Sequence, residues 1–144
     1  MYSKPEIIEK LQAIHTAYQV EFCFKNNITI IMGESGSGKT TVFEILQEAS
    51  LEDDRLLCIN YLDKRKGRDI DELIQNATGK LIVIDNADIL LTEGLRKYIA
   101  FDSKNQYIII GRNPSNLMAT RENLYELSVE NKGGKTIFRL KNYI

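Results

Sequence analysis

Apolar and polar positions follow two periods along this chain, one typical of helices and one typical of strands. Near the start, apolar residues recur every three or four positions behind Pro5, and this spacing predicts a helix that ends at about residue 18. These residues are Ile7, Leu11, Ile14 and Tyr18. Residues 20–25 then predict a short strand. The first 24 residues are therefore predicted to form an N-terminal helix and a short strand.

Further along, four short apolar runs predict buried strands at residues 28–32, 56–61, 81–84 and 107–110. Helical patterns follow the first three, from Lys39, from Ile70 behind a capping Asp69, and from about 88 to 100. This alternation indicates a parallel sheet covered by helices on both faces, with ligands bound at the carboxyl ends of the strands. Residues 124–129 and 136–140 flank Asn-Lys-Gly-Gly, which predicts a closing β-hairpin.

The run GESGSGKT, residues 33–40, matches the phosphate-binding pattern G-x-x-x-x-G-K-[ST] in full. It stands where a predicted strand ends and a helix begins, as that chemistry requires. The predicted nucleotide-binding residues are Gly33, Glu34, Ser35, Gly36, Ser37, Gly38, Lys39, Thr40 and Thr41. Lys39 is expected to reach the β- and γ-phosphates, and the Thr40 hydroxyl to coordinate Mg²⁺. The alternative is a Gly/Ser-rich turn that only caps a helix.

A second acidic motif, LIVIDNAD, places Asp85 at the end of the third predicted strand. A carboxylate beside the phosphate loop can hold Mg²⁺ directly or through water, so Asp85 is the second predicted metal ligand. The alternative is that Asp85 ends the strand for turn reasons alone. Asp88 is predicted either to cap the following helix or to act in catalysis.

These residues resemble the Walker A and Walker B motifs of the P-loop ATPases. Because Asp85 follows the third strand and not the second, they are most similar to the AAA+-like branch. The run YIIIGRNP, residues 107–114, resembles the sensor-1 strand of that family, and on this match Asn113 would sense the γ-phosphate or the attacking water. The resemblance covers residues 25–130 and implies ATP and Mg²⁺ as cofactors.

The resemblance also implies a fold. It is an α/β, three-layer P-loop NTPase fold with a mainly parallel sheet in the order 5-1-4-3-2, here with a C-terminal β-hairpin. All 144 residues are expected to form one nucleotide-binding domain, with a core at 25–123 and the hairpin at 124–144.

The chain departs from the family at a catalytic position. The family usually places a glutamate after the Walker B aspartate to polarise water, whereas this chain has Asn86. Asparagine cannot accept a proton at neutral pH, so hydrolysis is expected to be slower by about 10² to 10⁴ unless Asp88 substitutes. The family's helical lid is not expected after the hairpin, and Arg112 and Arg121 are the arginines available to act on phosphate in cis or on a neighbour's nucleotide.

The leading hypothesis is an ATP-binding, AAA+-like minimal domain with weak or partner-dependent hydrolysis. One alternative is a P-loop small-molecule kinase, and another is a non-hydrolysing, nucleotide-responsive interaction module. A GTPase is disfavoured because the D-x-x-G and N-K-x-D motifs do not occur at the required places.

The net charge and its distribution limit the classes of binding partner that are expected. A formal net charge of −1 gives no global field toward nucleic acid or anionic membrane. A local basic run, Lys64, Arg65, Lys66 and Arg68, is able to contact nucleic acid, but acidic neighbours favour a solvated loop or a protein interface. A protein partner or self-association is therefore expected. The charged start and the lack of an apolar run of about 20 residues predict a cytoplasmic protein without a membrane segment.

Overall fold

Eight strands form one continuous sheet in the computed structural model, which describes residues 5–33 and 36–143. The strands are β1 Lys10–His15, β2 Tyr18–Cys23, β3 Ile28–Ile31, β4 Leu56–Ile59, β5 Leu81–Ile84, β6 Gln106–Ile110, β7 Leu124–Lys132 and β8 Lys135–Asn142. The helices are α1 Lys39–Ala49, α2 Tyr61–Arg65, α3 Ile70–Gln75, α4 Ala87–Leu90 and α5 Glu93–Phe101, with a 3₁₀ turn at Arg121–Asn123. The sheet order is β1-β2-β8-β7-β3-β6-β5-β4.

The predicted fold class is wrong. The structure is not a three-layer, mainly parallel P-loop α/β fold but a mixed, curled half-barrel sheet, with more strand (34%) than helix (28%). Two antiparallel hairpins, β1–β2 and β7–β8, make the sheet mixed, and they join through a parallel pairing of β2 with β8. Helix α1 contacts β4, the last strand in the sheet order, and also β1 and β2, the first two strands in that order. The sheet therefore curls around α1.

Within this sheet, the five strands β7, β3, β6, β5 and β4 are neighbours in the order that the resemblance implied. Each of their four pairings is parallel, so their carboxyl ends meet at one edge, called here the carboxyl edge. Strands β5 and β6 are buried along their whole length, which explains why they read as unbroken apolar runs.

The predicted N-terminal helix is also wrong, because its residues form the antiparallel hairpin β1–β2. Leu11 and Ala13 are buried between exposed neighbours, a period of two that fits a strand. Ile14, which completed the helical pattern, is 60% exposed. Apolar residues four positions apart also fall on one face of a strand, and the short run therefore satisfied both periods.

Two apolar cores lie on the two faces of the sheet. The first gathers α1 with the N-terminal hairpin and includes Phe22 and Phe43, and the second gathers α3, α4 and α5 around Tyr107. The single helix predicted at 88–100 is two helices, since the chain straightens at Leu91 and Thr92 caps α5 through Leu95 N–H at 3.1 Å. None of the helices in the described ranges combines the length and apolar character that crossing a bilayer requires.

Two predictions of local structure are confirmed. Asp69 accepts a hydrogen bond from Glu72 N–H at the start of α3. Strands β7 and β8 form the C-terminal hairpin, joined by Gly133 and Gly134. Both glycines have positive φ (57° and 79°), the backbone that a two-residue hairpin turn requires.

Candidate functional site

Gly33 and residues 36–38 lie between β3 and α1 at the carboxyl edge, and the glycine-rich segment to which they belong is called here the loop. Because β3, β5 and β6 run parallel, Asp85 after β5 and Gly111 after β6 reach this edge too. Gly111 N–H donates to Ile31 C=O at 3.3 Å, which joins the end of β6 to the end of β3. The sheet therefore gathers the predicted phosphate loop, the predicted metal ligand and the predicted sensor segment on one side.

Three glycines shape the loop. Gly33, Gly36 and Gly38 have φ values of 123°, 84° and 100°, a region that residues with a side chain rarely enter. Glu34 and Ser35, predicted to bind nucleotide, lie outside the described residues. Helix α1 starts at Lys39 behind Gly38, an N-cap residue that has no side chain with which to accept the first N–H groups. The helix thus presents its first N–H groups and the positive end of its dipole toward the loop.

Lys39 lies across the loop, since its Nζ donates to Gly33 C=O at 2.5 Å. The Ser37 Oγ is buried and has no hydrogen-bond partner among the residues that the structure describes. A buried hydroxyl without a partner is costly, and an acceptor bound in the loop would satisfy it. Thr40 is exposed and Thr41 half-buried, both in the first turn of α1.

Asp85 is half-buried directly after β5. Burial raises the pKa of its carboxyl, while Asn86 N–H at 2.9 Å and the positive charge of Lys39 act in the opposite direction. Lys39 is therefore near enough to Asp85 for its charge to favour the carboxylate form. One carboxylate and the Thr40 hydroxyl are oxygen donors of the kind that Mg²⁺ takes.

Asn86, at the position of the usual glutamate, has a left-handed backbone (φ 55°, ψ 38°). Asparagine tolerates this conformation better than most residues. Its Oδ1 accepts a hydrogen bond from Tyr61 N–H at 3.4 Å, so the side chain is turned toward the start of α2. This contact links the ends of β4 and β5.

Asp88 does not cap a helix, and this alternative for Asp88 is wrong. Asn86 and Thr92 are the N-cap residues of α4 and α5. The Asp88 carboxylate instead accepts the N–H groups of Arg112 and Asn113 at 2.9 and 3.0 Å. A Cβ added at Gly111 would lie 2.8 Å from Asp88 Oδ1, so the two segments touch. Asp88 therefore holds the segment after β6 in place.

Asn113, the predicted sensor, lies three residues beyond β6 at the carboxyl edge and is exposed. Its Oδ1 accepts from both the N–H and the hydroxyl of Ser115, at 3.0 and 2.5 Å. The side-chain oxygen is thus engaged in a local turn. A sensor role for Asn113 remains a prediction, and its side-chain oxygen already accepts two hydrogen bonds from Ser115.

Two residues that contribute to the site were missed from the sequence. Arg96 is only 4% exposed, donates to the carbonyls of Asn113 and Ser115, and lies 3.6 Å from Asp88. In the sequence, the one indication of a role for Arg96 was its place next to the apolar stripe of a predicted helix. Phe138 in β8 lies so close to Gly38 that an added Cβ would be 2.6 Å from its Cε1. No local signal connects residues so distant in sequence.

The predicted arginines and the basic run lie at different ends of the strands. Arg112 is exposed at the carboxyl edge. Arg121 precedes β7, where Glu122 C=O accepts from Asn26 Nδ2 just before β3 begins, so it lies at the opposite edge of the sheet. The backbone of Arg121 thus starts at the end of the strands away from the loop, and its action on phosphate in cis stays a prediction. The basic run is exposed in and after α2, beyond the carboxyl end of β4, and Arg68 pairs with Asp63 at 2.7 Å.

Within residues 5–33 and 36–143, no three or more His, Cys, Asp or Glu side chains converge on a common point. A cation at this edge would therefore rely on few protein ligands, together with phosphate and water oxygens. Comparison with family models, with curated proteins and with solved structures finds no match to this chain.

Proposed function

We propose that this chain binds ATP with Mg²⁺ at residues 33–41, where the chain passes from β3 into α1, and hydrolyses it slowly or only with a partner. The observation that carries the proposal is the loop itself. Three glycines with positive φ lead into the uncapped N-terminus of α1, with Lys39 and Asp85 beside it. Such a backbone attracts an anion through N–H groups and the helix dipole.

The residues present fit a triphosphate and its cation. Lys39 supplies a positive charge for the phosphates, and Ser37 supplies a buried hydroxyl donor. Thr40 and Asp85 would hold Mg²⁺, which when bound would neutralise phosphate charge. The raised pKa of Asp85 belongs to a carboxyl that burial disfavours as an anion, and a bound cation would favour that anion.

Slow hydrolysis is proposed from the residues at the end of β5. Asn86 lacks a basic carboxylate and its side-chain oxygen already accepts from Tyr61 N–H. Asp88, the other candidate base, binds two backbone N–H groups and lies near Arg96. A base held in this way is poorly placed to take a proton from water.

The binding half is tested by calorimetric titration of the protein with Mg-ATP. Replacing Lys39 with alanine removes a charge-assisted contact and should weaken affinity roughly 10- to 100-fold. Lys97→Ala is the matched control, since Lys97 is an exposed lysine of α5. Equal affinities of wild type and Lys39→Ala would contradict the assignment of the loop.

A non-hydrolysing, nucleotide-responsive module is the second candidate, favoured by the same engaged Asn86 and Asp88. Steady-state phosphate release of Asn86→Glu, compared with the uncharged Asn86→Gln, separates the two. A rise in turnover with glutamate alone supports a slow ATPase, because the variant restores a base. No release from either variant, with ATP binding intact, supports the module.

The proposal also includes a compartment and a partner. The proposed compartment is the cytoplasm, where thiols stay reduced, and Cys23 and Cys58 are both free thiols. The exposed basic residues Lys64, Arg65 and Lys66 lie at the same edge as the loop and are the proposed contact for a protein partner. Acidic residues in and after α2 offset the field that nucleic acid would require.

A further inference from the structure

A groove runs along the outer face of α1, opposite the turn that joins β1 to β2. Its volume is about 550 Å³, within the range of small-molecule sites. From α1 it is lined by Thr41, Glu44, Ile45 and Glu48, and from the hairpin by His15 and Tyr18. Thr41 lies in the first turn of α1, directly after the predicted phosphate loop of residues 33–40, so the groove begins where that loop ends.

The aromatic ring of Tyr18 connects the groove to the loop. It stacks on Phe138, with ring centroids 6.2 Å apart and planes inclined by 18°. Phe138 in turn packs against Gly38. Tyr18 is nevertheless 41% exposed, whereas Phe138 beneath it is buried. One aromatic layer therefore separates the loop from a ring that still faces solvent in the groove.

The backbone that carries this ring is held from several sides. Tyr18 pairs with His15 in β1 and with Thr136 in β8. Thr136 N–H donates to Ala17 C=O at 2.8 Å, and His15 Nδ1 lies 2.9 Å from Glu48 Oε2 on α1. The backbone that carries the ring is thus ordered before a ligand stacks on it, which lowers the entropy cost of binding.

We propose that Tyr18 is the platform on which the purine base of the nucleotide stacks, an inference that rests on the proposed binding of ATP at the loop. With the phosphates at residues 36–40, the first turn of α1 directs the rest of the nucleotide along the groove toward Tyr18. Every base offers a π-face to an aromatic ring, and Glu44 and Gln47 border the groove with groups that accept or donate hydrogen bonds.

The test compares Mg-ATP with inorganic tripolyphosphate, which carries the phosphates but no base. In the wild type, ATP should bind more tightly than tripolyphosphate. Tyr18→Ala should weaken ATP roughly 5- to 150-fold and leave tripolyphosphate unchanged, because only stacking is lost. Tyr18→Phe keeps the ring and should bind ATP nearly as the wild type does. Lys39→Ala should weaken both ligands.

Controls keep the outcomes distinct. Phe101→Ala removes an exposed aromatic ring (75%) at the end of α5 that does not line the groove, and it should leave both affinities unchanged. Tyr18→Leu keeps apolar packing on Phe138 and replaces the alanine variant if that one unfolds. Unchanged ATP affinity in folded Tyr18→Ala or Tyr18→Leu, the variants that lose the ring, overturns the inference alone, and so does equal weakening of both ligands. Failure of the wild type to bind either ligand overturns the proposed function with it.

Discussion

Two regions of the sheet differ in how far their structure depends on local sequence. One is the carboxyl edge, and the other is the hairpin side, which consists of β1, β2 and β8. At the carboxyl edge, short sequence runs carry their own structure, since a buried strand leads into a glycine loop and then a helix. On the hairpin side, each strand depends on partners far away in sequence, as in the bonds of Arg139 to Glu21 across β8 and β2. Local patterns therefore describe the first region well and the second poorly.

The two regions meet where Phe138 packs on Gly38, and the largest expected effect comes from breaking this contact. Gly38→Ala combines a positive φ with a Cβ 2.6 Å from the Phe138 ring and should lower the free energy of unfolding by about 3 kcal/mol. Gly36→Ala has similar backbone strain (φ 84°), but its added Cβ would meet no atom within 4 Å among the described residues beyond its chain neighbours, and it should cost about 1 kcal/mol. Urea denaturation measures both.

Adding Phe138→Leu to Gly38→Ala should recover part of the loss, since the smaller side chain relieves the overlap. Equal destabilisation by the two glycine variants would mean that the hairpin side does not constrain the loop.

Within the carboxyl edge, Arg96→Leu is expected to have the next largest effect. It leaves the carbonyls of Asn113 and Ser115 without their donor and removes the positive charge beside Asp88, at a cost of about 2 to 3 kcal/mol. Urea denaturation again reports the loss. The exposed neighbour Lys97→Ala should stay within about 0.5 kcal/mol of the wild type. A loss no larger than that of the control would show that the arginine is dispensable.

The smallest expected effect is a gain of stability at Asp85. Burial raises the pKa of this carboxyl in the folded state, so its charged form destabilises the fold above the folded-state pKa. Below the ordinary value of 3.8 the group is protonated in both states and the penalty is absent. Asp85→Asn should therefore raise the free energy of unfolding at pH 7, and the gain should disappear as the pH falls below that value.

Denaturation of Asp85→Asn at neutral and acidic pH measures this gain, with Asp54→Asn in an exposed loop as the control. A gain of the same size at both pH values would mean that the charge is not its origin. A gain confined to neutral pH would show that the charged carboxylate of Asp85 destabilises the fold. Such a cost is expected at a site where a half-buried acid binds a cation.

Several features of the site could be predicted because they depend on neighbours in sequence. The glycine loop between β3 and α1, the Asp69 cap and the Gly133–Gly134 turn each follow from backbone preferences of a few residues. The position of Asp85 follows from the buried strand before it. The binding of ATP and Mg²⁺ there remains a proposal drawn from these residues.

The sequence by itself determined local geometry: which runs are strands in the parallel part of the sheet, and where its loop bends toward a helix start. Only the tertiary structure decided that residues 10–23 form a hairpin and that Asp88 and Arg96 hold the segment after β6. It also decided that Phe138 and Tyr18 lie against the loop. The reason is physical, because a six-residue run satisfies both helical and strand periods, and only pairing with distant strands makes one of them lower in free energy.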